Sequence, residues 1–529
     1  MEKRMIVAIA LSLMILLGFQ FLGNKNKPQV QPEYAPSGTA GTQTETGPAA
    51  PRTSSSKEQK ALEEKLTEVY TENYRAVFSD IGGSMKKLVL VTIKGEDTLF
   101  EEEVLSQRPF ALESSIIAGL EAKKYEMSRG DNYVEYTYTE PGWIELTKRY
   151  VFPQGTNRID LMVSVRNIAD RSINFSYSII GPADLIKADN IMGRRFLEAN
   201  AMIDGKLWRE KSVKQIEERM GNISWIGLKN RYFAVALKPF TAPKTAFMQK
   251  VAGKNLLTGL RMQSQELAPG TAKEDEFFLY AGTLDEKKLA AIGYSLEELV
   301  DFGFFGALSK VLLSILAFFH NWTHNWGLAI ICLTILINFL LFPLTFKSFA
   351  SMQQMKKIQP HMQKLKELHK DNPQKLNKEM MELYKKYNVN PLGGCLPLLL
   401  QMPIFIALYQ GLMRFIELKG SDFLWIKDLA KPDAVPLPFS LPVLGSSINV
   451  LPLLMVGMMV VQQKLSQSVS AGAMTDEQAS QQKIMMLMMP LLFGFLFYKM
   501  PSGLVLYWLT NTILMSTEQT IIGKRLAGD

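Results

Sequence analysis

The sequence predicts a membrane protein with an α-helical core and a separate all-β domain. Hydrophobic residues make up 47% of the 529 residues, and they are concentrated in a few long stretches. A stretch of ~20 apolar residues can cross the hydrocarbon core of a bilayer as a helix. Between the first such stretch and the others lie many short runs rich in Val, Ile, Tyr and Phe, which is the pattern of strands. Together these observations predict six transmembrane helices and an all-β sandwich.

Five apolar stretches are long enough to span a bilayer, and the last is about twice as long as one span requires. Within that last stretch, Lys499-Met500-Pro501-Ser502-Gly503 predicts a tight turn between two spans. The stretches lie at residues 5–22, 326–346, 396–415, 446–463 and 484–522. The sequence therefore predicts an integral membrane protein and not a soluble one.

The first apolar stretch follows Lys3 and Arg4. A cleavable signal peptide has this form, but no small-x-small cleavage site follows the stretch. Residues 1–22 are therefore interpreted as an uncleaved signal anchor. Residues 23–57, rich in Pro, Gly, Ser and Thr, are interpreted as a flexible linker. The two cysteines, Cys332 and Cys395, lie within or beside predicted spans, so they do not indicate the redox compartment.

Residues 58–283 are predicted to form the β-sandwich, because short alternating runs follow one another without intervening helices. All four histidines lie outside this range, and scattered carboxylates on strands are typical of solvated faces. A docking or scaffolding role is therefore favoured over catalysis. The predicted strands are Lys87–Ile93, Tyr133–Thr139, Trp143–Phe152, Arg158–Val165, Ile173–Ile179, Phe233–Leu237 and Phe277–Tyr280.

Residues 284–325 are predicted to connect the sandwich to the second span. A short helix over Leu284–Tyr294 is followed by an amphipathic segment, Asp301–His320, which we interpret as an interfacial helix because Trp322 and Trp326 come next. His320 and His324 have a spacing that could bind metal. No carboxylate or cysteine lies near them, so interfacial polar residues are the preferred interpretation, and no metal or cofactor is predicted.

Residues 347–389, between the second and third spans, carry ten lysines between Lys347 and Asn388. Apolar residues recur every three or four positions and are interrupted by Asp371-Asn372-Pro373, which predicts a helical hairpin. By the positive-inside rule the hairpin and both termini are cytoplasmic, and residues 23–325 lie on the opposite side. The hairpin either is a solvated face or contacts anionic lipid headgroups, ribosomal RNA or targeting proteins. The lysines singled out for such contacts are Lys356, Lys357, Lys364, Lys366, Lys385 and Lys386.

Four motifs resemble those of the YidC family of membrane protein insertases. They are Phe342–Thr345 (FPLT), Asn390–Tyr409 (NPLGGCLPLLLQMPIFIALY), Gln481–Met485 (QQKIM) and Pro501–Trp508 (PSGLVLYW), and they occur in the family's order. The predicted anchor and sandwich fit the Gram-negative form of the family, which has a large periplasmic domain. In this chain, residues 390–523 are then the third to sixth spans with their loops, and residues 524–529 are a short cytoplasmic tail.

The resemblance implies an insertase of the bacterial inner membrane in which five spans enclose a groove open to cytoplasm and lipid. Its expected partners are nascent or newly made membrane proteins, the lipid bilayer, the Sec translocon, the ribosome and a targeting receptor. The resemblance implies no enzymatic activity, no cofactor and no sequence-specific nucleic-acid binding.

A transporter or channel is the alternative function, but this class predicts internal repeats, which the two halves of the sequence do not show. An intramembrane hydrolase needs a nucleophile with a base, and no histidine occurs within the six spans.

At Asn338 the family usually has an arginine that is credited with attracting acidic substrate tails. Asparagine is uncharged and offers only hydrogen bonds. The sequence therefore predicts a groove without a fixed buried cation, and a polar contact between helices is the alternative role for Asn338. Mapped onto this chain, the family's groove residues, to which Asn511 is added for its hydrogen-bonding capacity, are Thr334, Asn338, Gln401, Met402, Phe405, Tyr507, Trp508 and Asn511.

Overall fold

The computed structural model describes residues 63–92, 95–101, 108–182, 185, 196–213, 216–251, 256–369, 372–387, 389, 396–441, 445–467 and 488–528. The predicted first span at 5–22 and the linker at 23–57 lie outside the described residues. So do Cys395 and the Gln481–Met485 motif.

Alternating burial identifies the strands of the N-terminal β-rich domain. Every second side chain of Ile144–Val151, from Ile144 to Tyr150, points into the core, as the period of a strand requires. In the described residues the strands are β1 (Leu66–Tyr70), β2 (Tyr74–Ser79), β3 (Ser84–Thr92), β4 (Gly95–Glu101), β5 (Leu112–Glu113), β6 (Glu126–Arg129), β7 (Tyr133–Glu140), β8 (Ile144–Val151), β9 (Arg158–Asn167), β10 (Ile173–Phe175), β11 (Ser178–Ile180), β12 (Glu198–Ile203), β13 (Lys206–Glu210), β14 (Ile216–Arg219), β15 (Ile223–Lys229), β16 (Phe233–Pro239), β17 (Thr245–Lys250), β18 (Leu256–Arg261), β19 (Gln265–Leu267), β20 (Ala272–Thr283), β21 (Val435–Leu441) and β22 (Gly445–Ile448).

Two large antiparallel sheets share one core. The nine-stranded sheet has the order β13-β12-β15-β16-β20-β9-β8-β7-β6, and the five-stranded sheet has the order β14-β17-β18-β11-β5. Leu146 and Leu161 from the first sheet and Leu112, Met248 and Leu260 from the second belong to one buried cluster. The two sheets therefore pack face to face, and a four-stranded sheet, β1-β2-β3-β4, adds side chains to the same core.

Helices occupy most of the rest of the described chain. Asn325 begins the longest of them as an N-cap, because its side chain accepts a hydrogen bond from Leu328 N at 3.0 Å. The described α-helices are α1 (Glu286–Ile292), α2 (Gly306–Thr323), α3 (Trp326–Leu368), α4 (Pro373–Lys386), α5 (Leu396–Leu412), α6 (Val450–Gln467), α7 (Met488–Phe497) and α8 (Ser502–Gly528).

The segment that connects the β-rich domain to α2 is fixed to the outer face of the nine-stranded sheet. Trp225 and Phe278 of the sheet are buried in one cluster with Leu289 of α1 and Leu299. The indole Nε1 of Trp225 also donates to the Tyr294 carbonyl at 3.0 Å. The β-rich domain and the start of the helical region are therefore joined by a packed connector.

Among the described residues, one helix is long and apolar enough by itself to cross a membrane, over Trp326–Met355 of α3. Shorter apolar helices cover Leu399–Leu412, Val450–Leu465 and Met488–Phe497. Buried side chains from α2, α3, α5, α6, α7 and α8 form a single cluster, which makes these helices one packed unit. The total of six spans stays a prediction.

Two expected elements differ in the structure. The run Ile173–Ile179 was predicted as one strand, but it forms β10 and β11, which pair with β19 and β18 in different sheets, so the chain changes sheet at Ser176-Tyr177. The fourth span was expected to begin at residue 446. Residues Gly445–Ile448 instead pair with β21, and the helix begins only at Val450.

Candidate functional site

A pair of asparagines joins α3 to α8 within the apolar helical unit. The Nδ2 of Asn338 donates to Asn511 Oδ1 at 2.9 Å and to the Thr334 carbonyl at 2.8 Å. Asn338 is 8% exposed and Asn511 is 7% exposed. Because buried amides in an apolar environment must find partners, this pair specifies how the two helices meet. The hydroxyl of Thr334 is fully buried and donates to the Ile330 carbonyl of its own helix at 2.7 Å.

A second polar contact joins α5 to α8. The Nε2 of Gln401 donates to the hydroxyl of Tyr507, whose side chain is almost completely buried. Tyr507 lies one helical turn before Asn511, so the two contacts are adjacent along α8. We call the four residues Asn338, Asn511, Gln401 and Tyr507 the polar layer. This layer brings together α3, α5 and α8, and it contains four of the predicted groove residues.

A small cleft borders this polar layer. Its lining combines two predicted residues, Asn338 and Gln401, with five that sequence reasoning missed. Helical spacing was the signal for some of them, because residues 341 and 345 follow Asn338 on one face of α3 and residue 515 follows Asn511 by one turn. The lining residues are Asn338, Leu341, Leu344, Thr345, Leu400, Gln401 and Met515.

Aromatic side chains pack beside the polar layer, next to Tyr507 on α8. Trp508 is at their centre, with its ring 4.7 Å from that of Phe405 and 5.3 Å from those of Phe493 and Phe497. The Phe405–Trp508 pair is nearly perpendicular, at 84°, which is a favourable arrangement of two aromatic rings. Met402, also predicted for the groove, is partly exposed on α5 and does not line the cleft.

Further buried polar residues continue along α3 and α8 toward the hairpin helix α4. Their spacing of three to four positions keeps them on one side of each helix. Sequence reasoning missed the serines and threonines among them because small polar side chains are common in membrane helices. They are Thr345 and Ser348 on α3, and Thr512, Ser516 and Gln519 on α8.

The cleft has no cationic side chain among its lining residues. The predicted second span, residues 326–346, contains no charged residue, and the first cation after it is Lys347. The hairpin formed by the end of α3 and α4 carries the lysines instead. Lys357, Lys364, Lys385 and Lys386 are exposed and Lys366 is partly exposed, whereas the side chain of Lys356 lies outside the described ones.

Comparison with known proteins gives matches along almost the whole chain. The family model described as the YidC periplasmic domain matches residues 67–315, and the model described as the 60Kd inner membrane protein matches residues 318–528. The chain is 33% identical to a protein from Geotalea daltonii over 559 aligned residues, which cover 99% of this chain and 100% of that one. It is 34% identical to a protein from Geotalea uraniireducens, again with 99% and 100% coverage. Both relatives are named membrane protein insertase YidC.

Solved structures give weaker likenesses. An active YidC insertase with its first transmembrane domain resolved is 18% identical, with a TM-score of 0.35, over 86% of this chain and 92% of that one. A galactose mutarotase-like protein from Lactobacillus casei is 10% identical, with a TM-score of 0.34, over 41% of this chain and 100% of that one. The family assignment therefore comes from the sequence relatives and the family models.

Proposed function

Since this chain belongs to the YidC family of membrane protein insertases, we propose that the polar layer between α3, α5 and α8 is where polar parts of a substrate protein cross the apolar region. The chain is a membrane protein insertase of the inner membrane.

The physical role proposed for the layer is to lower a barrier. Moving a charged residue to the centre of a membrane costs ~2.5–3.5 kcal/mol on insertion scales. Amide and hydroxyl groups halfway along the spans shorten the dry part of this path, because a passing polar group can exchange hydrogen bonds with them. The observation that carries the proposal is the Asn338–Asn511 pair, which lies beside Gln401 at a cleft without a fixed cation.

We further propose six spans, with both termini and the hairpin in the cytoplasm and residues 23–325 in the periplasm. The exposed lysines of α4 support this orientation through the positive-inside rule. The buried polar residues that run from Asn511 to Gln519 then lead toward the cytoplasm. In this orientation Phe405, one turn after Gln401 on α5, and Phe497, at the end of α7, extend the aromatic cluster around Trp508 toward the periplasm, where it would close the path.

The proposed partners follow from the same orientation. Exposed cations on the hairpin are suited to anionic lipid headgroups and to the phosphates of ribosomal RNA. We keep the ribosome, a targeting receptor and the Sec translocon as proposed partners of this chain, with the hairpin as the surface for the first two.

The test is insertion by the purified full chain in liposomes, measured by protease protection of a small two-span substrate. Two substrates differ only in the translocated segment, which is apolar in one and contains one charged residue in the other. We expect the double variant Asn338→Leu, Gln401→Met to slow the charged substrate by roughly tenfold, which corresponds to about half of the burial cost above. The apolar substrate should be slowed much less.

A matched pair of threonines on the helices provides the control. Thr345 lines the cleft and donates to the Leu341 carbonyl, whereas Thr517 is exposed on α8 and donates to the Ile513 carbonyl. Thr345→Val should slow the charged substrate, and Thr517→Val should not. If the double variant unfolds at the normal temperature and slows both substrates by the same factor relative to the parent chain, the polar layer is not on the insertion path.

A further inference from the structure

A tight turn between α5 and α6 presents two large apolar side chains at its tip. Phe423 N donates to the Ile426 carbonyl at 2.8 Å, and Ile426 N donates back to the Phe423 carbonyl at 2.9 Å. These reciprocal bonds close a two-residue hairpin with Leu424 and Trp425 at the tip. Leu424 is 75% exposed and Trp425 is 42% exposed.

Leu424 has an unfavourable backbone conformation for its residue type. Its φ angle is +53°, in the left-handed region that glycine, asparagine and aspartate adopt readily and leucine rarely does. Two-residue hairpin turns with positive φ strongly favour Asn-Gly or Asp-Gly. Leucine at position 424 is therefore unfavourable for two reasons, its positive φ angle and the exposure of its apolar side chain. A partner that covers this side chain would explain why leucine occurs there.

The turn is fixed to the first turn of α3. The ring of Phe423 packs directly on Gly327, the second residue of that helix, and leaves no room for a Cβ there. Asn325, the N-cap of α3, donates through Nδ2 to the Asp422 carbonyl at 3.4 Å. The tip therefore lies at the level where the membrane-spanning part of α3 begins.

The turn is also tied to the first turn of α6. The carboxylate of Asp433 accepts a hydrogen bond from Trp425 Nε1 at 3.3 Å. The same Oδ2 atom accepts one from Leu451 N at 2.8 Å, in the first turn of α6. Two apolar helices thus set the level of the tip independently.

Exposed apolar side chains surround this level on both helices. Trp322 in the last turn of α2 is 75% exposed, and Leu328 and Leu453 in the first turns of α3 and α6 are exposed as well. On membrane spans such leucines face acyl chains, and tryptophan is enriched at the boundary with water. Lys427 next to the tip is exposed and is complementary in charge to a lipid phosphate.

We propose that Leu424 and Trp425 insert into the lipid at the membrane boundary and anchor the α5–α6 connection in that leaflet. The leaflet is the periplasmic one in the orientation proposed above. Trp425 satisfies its indole nitrogen on Asp433 while its ring stays apolar, which suits a residue at the headgroup level. Insertion of Leu424 offsets its unfavourable backbone conformation.

The test places an environment-sensitive fluorophore at the tip of the full chain in proteoliposomes. Cys332 and Cys395 are replaced by serine, and Leu424→Cys is labelled. Lipids that carry a nitroxide quencher either near the headgroup or deep in the acyl chain report its depth. We expect a blue-shifted emission that the shallow quencher reduces more than the deep one. Tyr70→Cys, at an exposed aromatic residue of the β-rich domain, should give emission typical of water and no quenching.

A second variant separates anchoring from folding. Leu424→Asn favours the left-handed backbone, so it should leave thermal unfolding in detergent unchanged or raise its midpoint. With the label moved to Lys427→Cys, the same substitution should cause a loss of shallow quenching. Emission typical of water at position 424 would overturn the proposal. Blue-shifted emission that neither lipid quenches would also overturn it, because it would show that the tip is covered by protein.

Discussion

Arg231 is expected to hold the β-rich domain to the helical unit through the end of α5. It lies in the turn between β15 and β16, and its Nε donates to the Met413 carbonyl just after α5. Its Nη1 donates to the Ala430 carbonyl at 3.3 Å. Burial lowers the pKa of Arg231, but a guanidinium stays charged in proteins. A cation from one domain therefore satisfies the Met413 carbonyl at the C-terminal end of a helix from the other, where the helix dipole favours it, together with the Ala430 carbonyl in the α5–α6 connection.

The substitution Arg231→Met keeps an apolar stem and removes every donor. A buried carbonyl left without a partner costs ~1–3 kcal/mol, and two are affected here. Part of this cost is offset, because the cation no longer has to be desolvated. We therefore expect the contact to weaken by ~2–3 kcal/mol, which corresponds to a shift of about 30- to 160-fold in the equilibrium between docked and undocked domains. Arg231→Lys should give part of this loss, since an ammonium lacks the fork of donors.

The assay is a spin-label distance between cysteines at two exposed positions, Met220 in the β-rich domain and Phe439 on β21. The parent chain should give one narrow distance distribution, and Arg231→Met should broaden it or add longer distances. Arg219→Met is the control, because Arg219 stacks on Trp208 at 4.3 Å within the β-rich domain. A distribution for Arg231→Met that matches the parent would show that the guanidinium does not hold the two parts together.

Two further predictions concern ionisable side chains of the β-rich domain, the buried Lys148 and the partly exposed Glu64. The side-chain nitrogen of Lys148 is completely buried and donates to three backbone carbonyls. Because Lys148→Met leaves these carbonyls without a partner, it should lower the free energy of unfolding by ~2–4 kcal/mol, measured by urea titration. An unchanged urea midpoint would contradict this. Burial by itself would raise the pKa of Glu64, but hydrogen bonds from Ser79, Lys86 and Arg108 outweigh it and lower the pKa to about 2. Because this folded-state pKa lies below the unfolded value, the stability that Glu64 contributes is present above about pH 4.5 and is lost as the pH falls toward 2. Glu64→Gln should remove ~1–2 kcal/mol of this acid dependence after solvent screening, and a parent and a variant with the same pH profile would refute the assignment.

Polar residues inside apolar runs were the part of the site that the sequence could predict. Asn338, Gln401 and Asn511 stand out because an amide in a membrane span must find a partner. Their pairing could not be predicted, because it depends on where α3, α5 and α8 cross. The hydroxyl of Thr334 shows the same limit, since it bonds to its own helix and not to a neighbour. A threonine in a span has this local partner available wherever it lies.

Alternation predicted, at least in part, the longest strands of the β-rich domain (β3, β7, β8, β9 and β20), but it missed several of intermediate length, such as β4 and β15. Strand β8 has four inward positions, and Lys148 occupies the third of them, after Ile144 and Leu146. The alternation alone places that lysine in the core, although lysine is rarely buried. Strands of two or three residues, such as β5 and β19, have no period long enough to detect, so only their pairing partners define them.

The neutral character of the polar layer limits what it can select. A fixed cation in an apolar region would attract acidic segments and repel basic ones over several ångströms, because the local dielectric constant is low. The Asn338–Asn511 pair exerts no such long-range force, and each amide both donates and accepts. It can therefore exchange hydrogen bonds with a passing carboxylate, ammonium or backbone group alike. A layer of this kind lowers the barrier for polar segments of either charge sign, so it does not distinguish between substrates by charge. Discrimination would have to come from the substrate's own apolar helix, which leaves the insertase and enters the lipid.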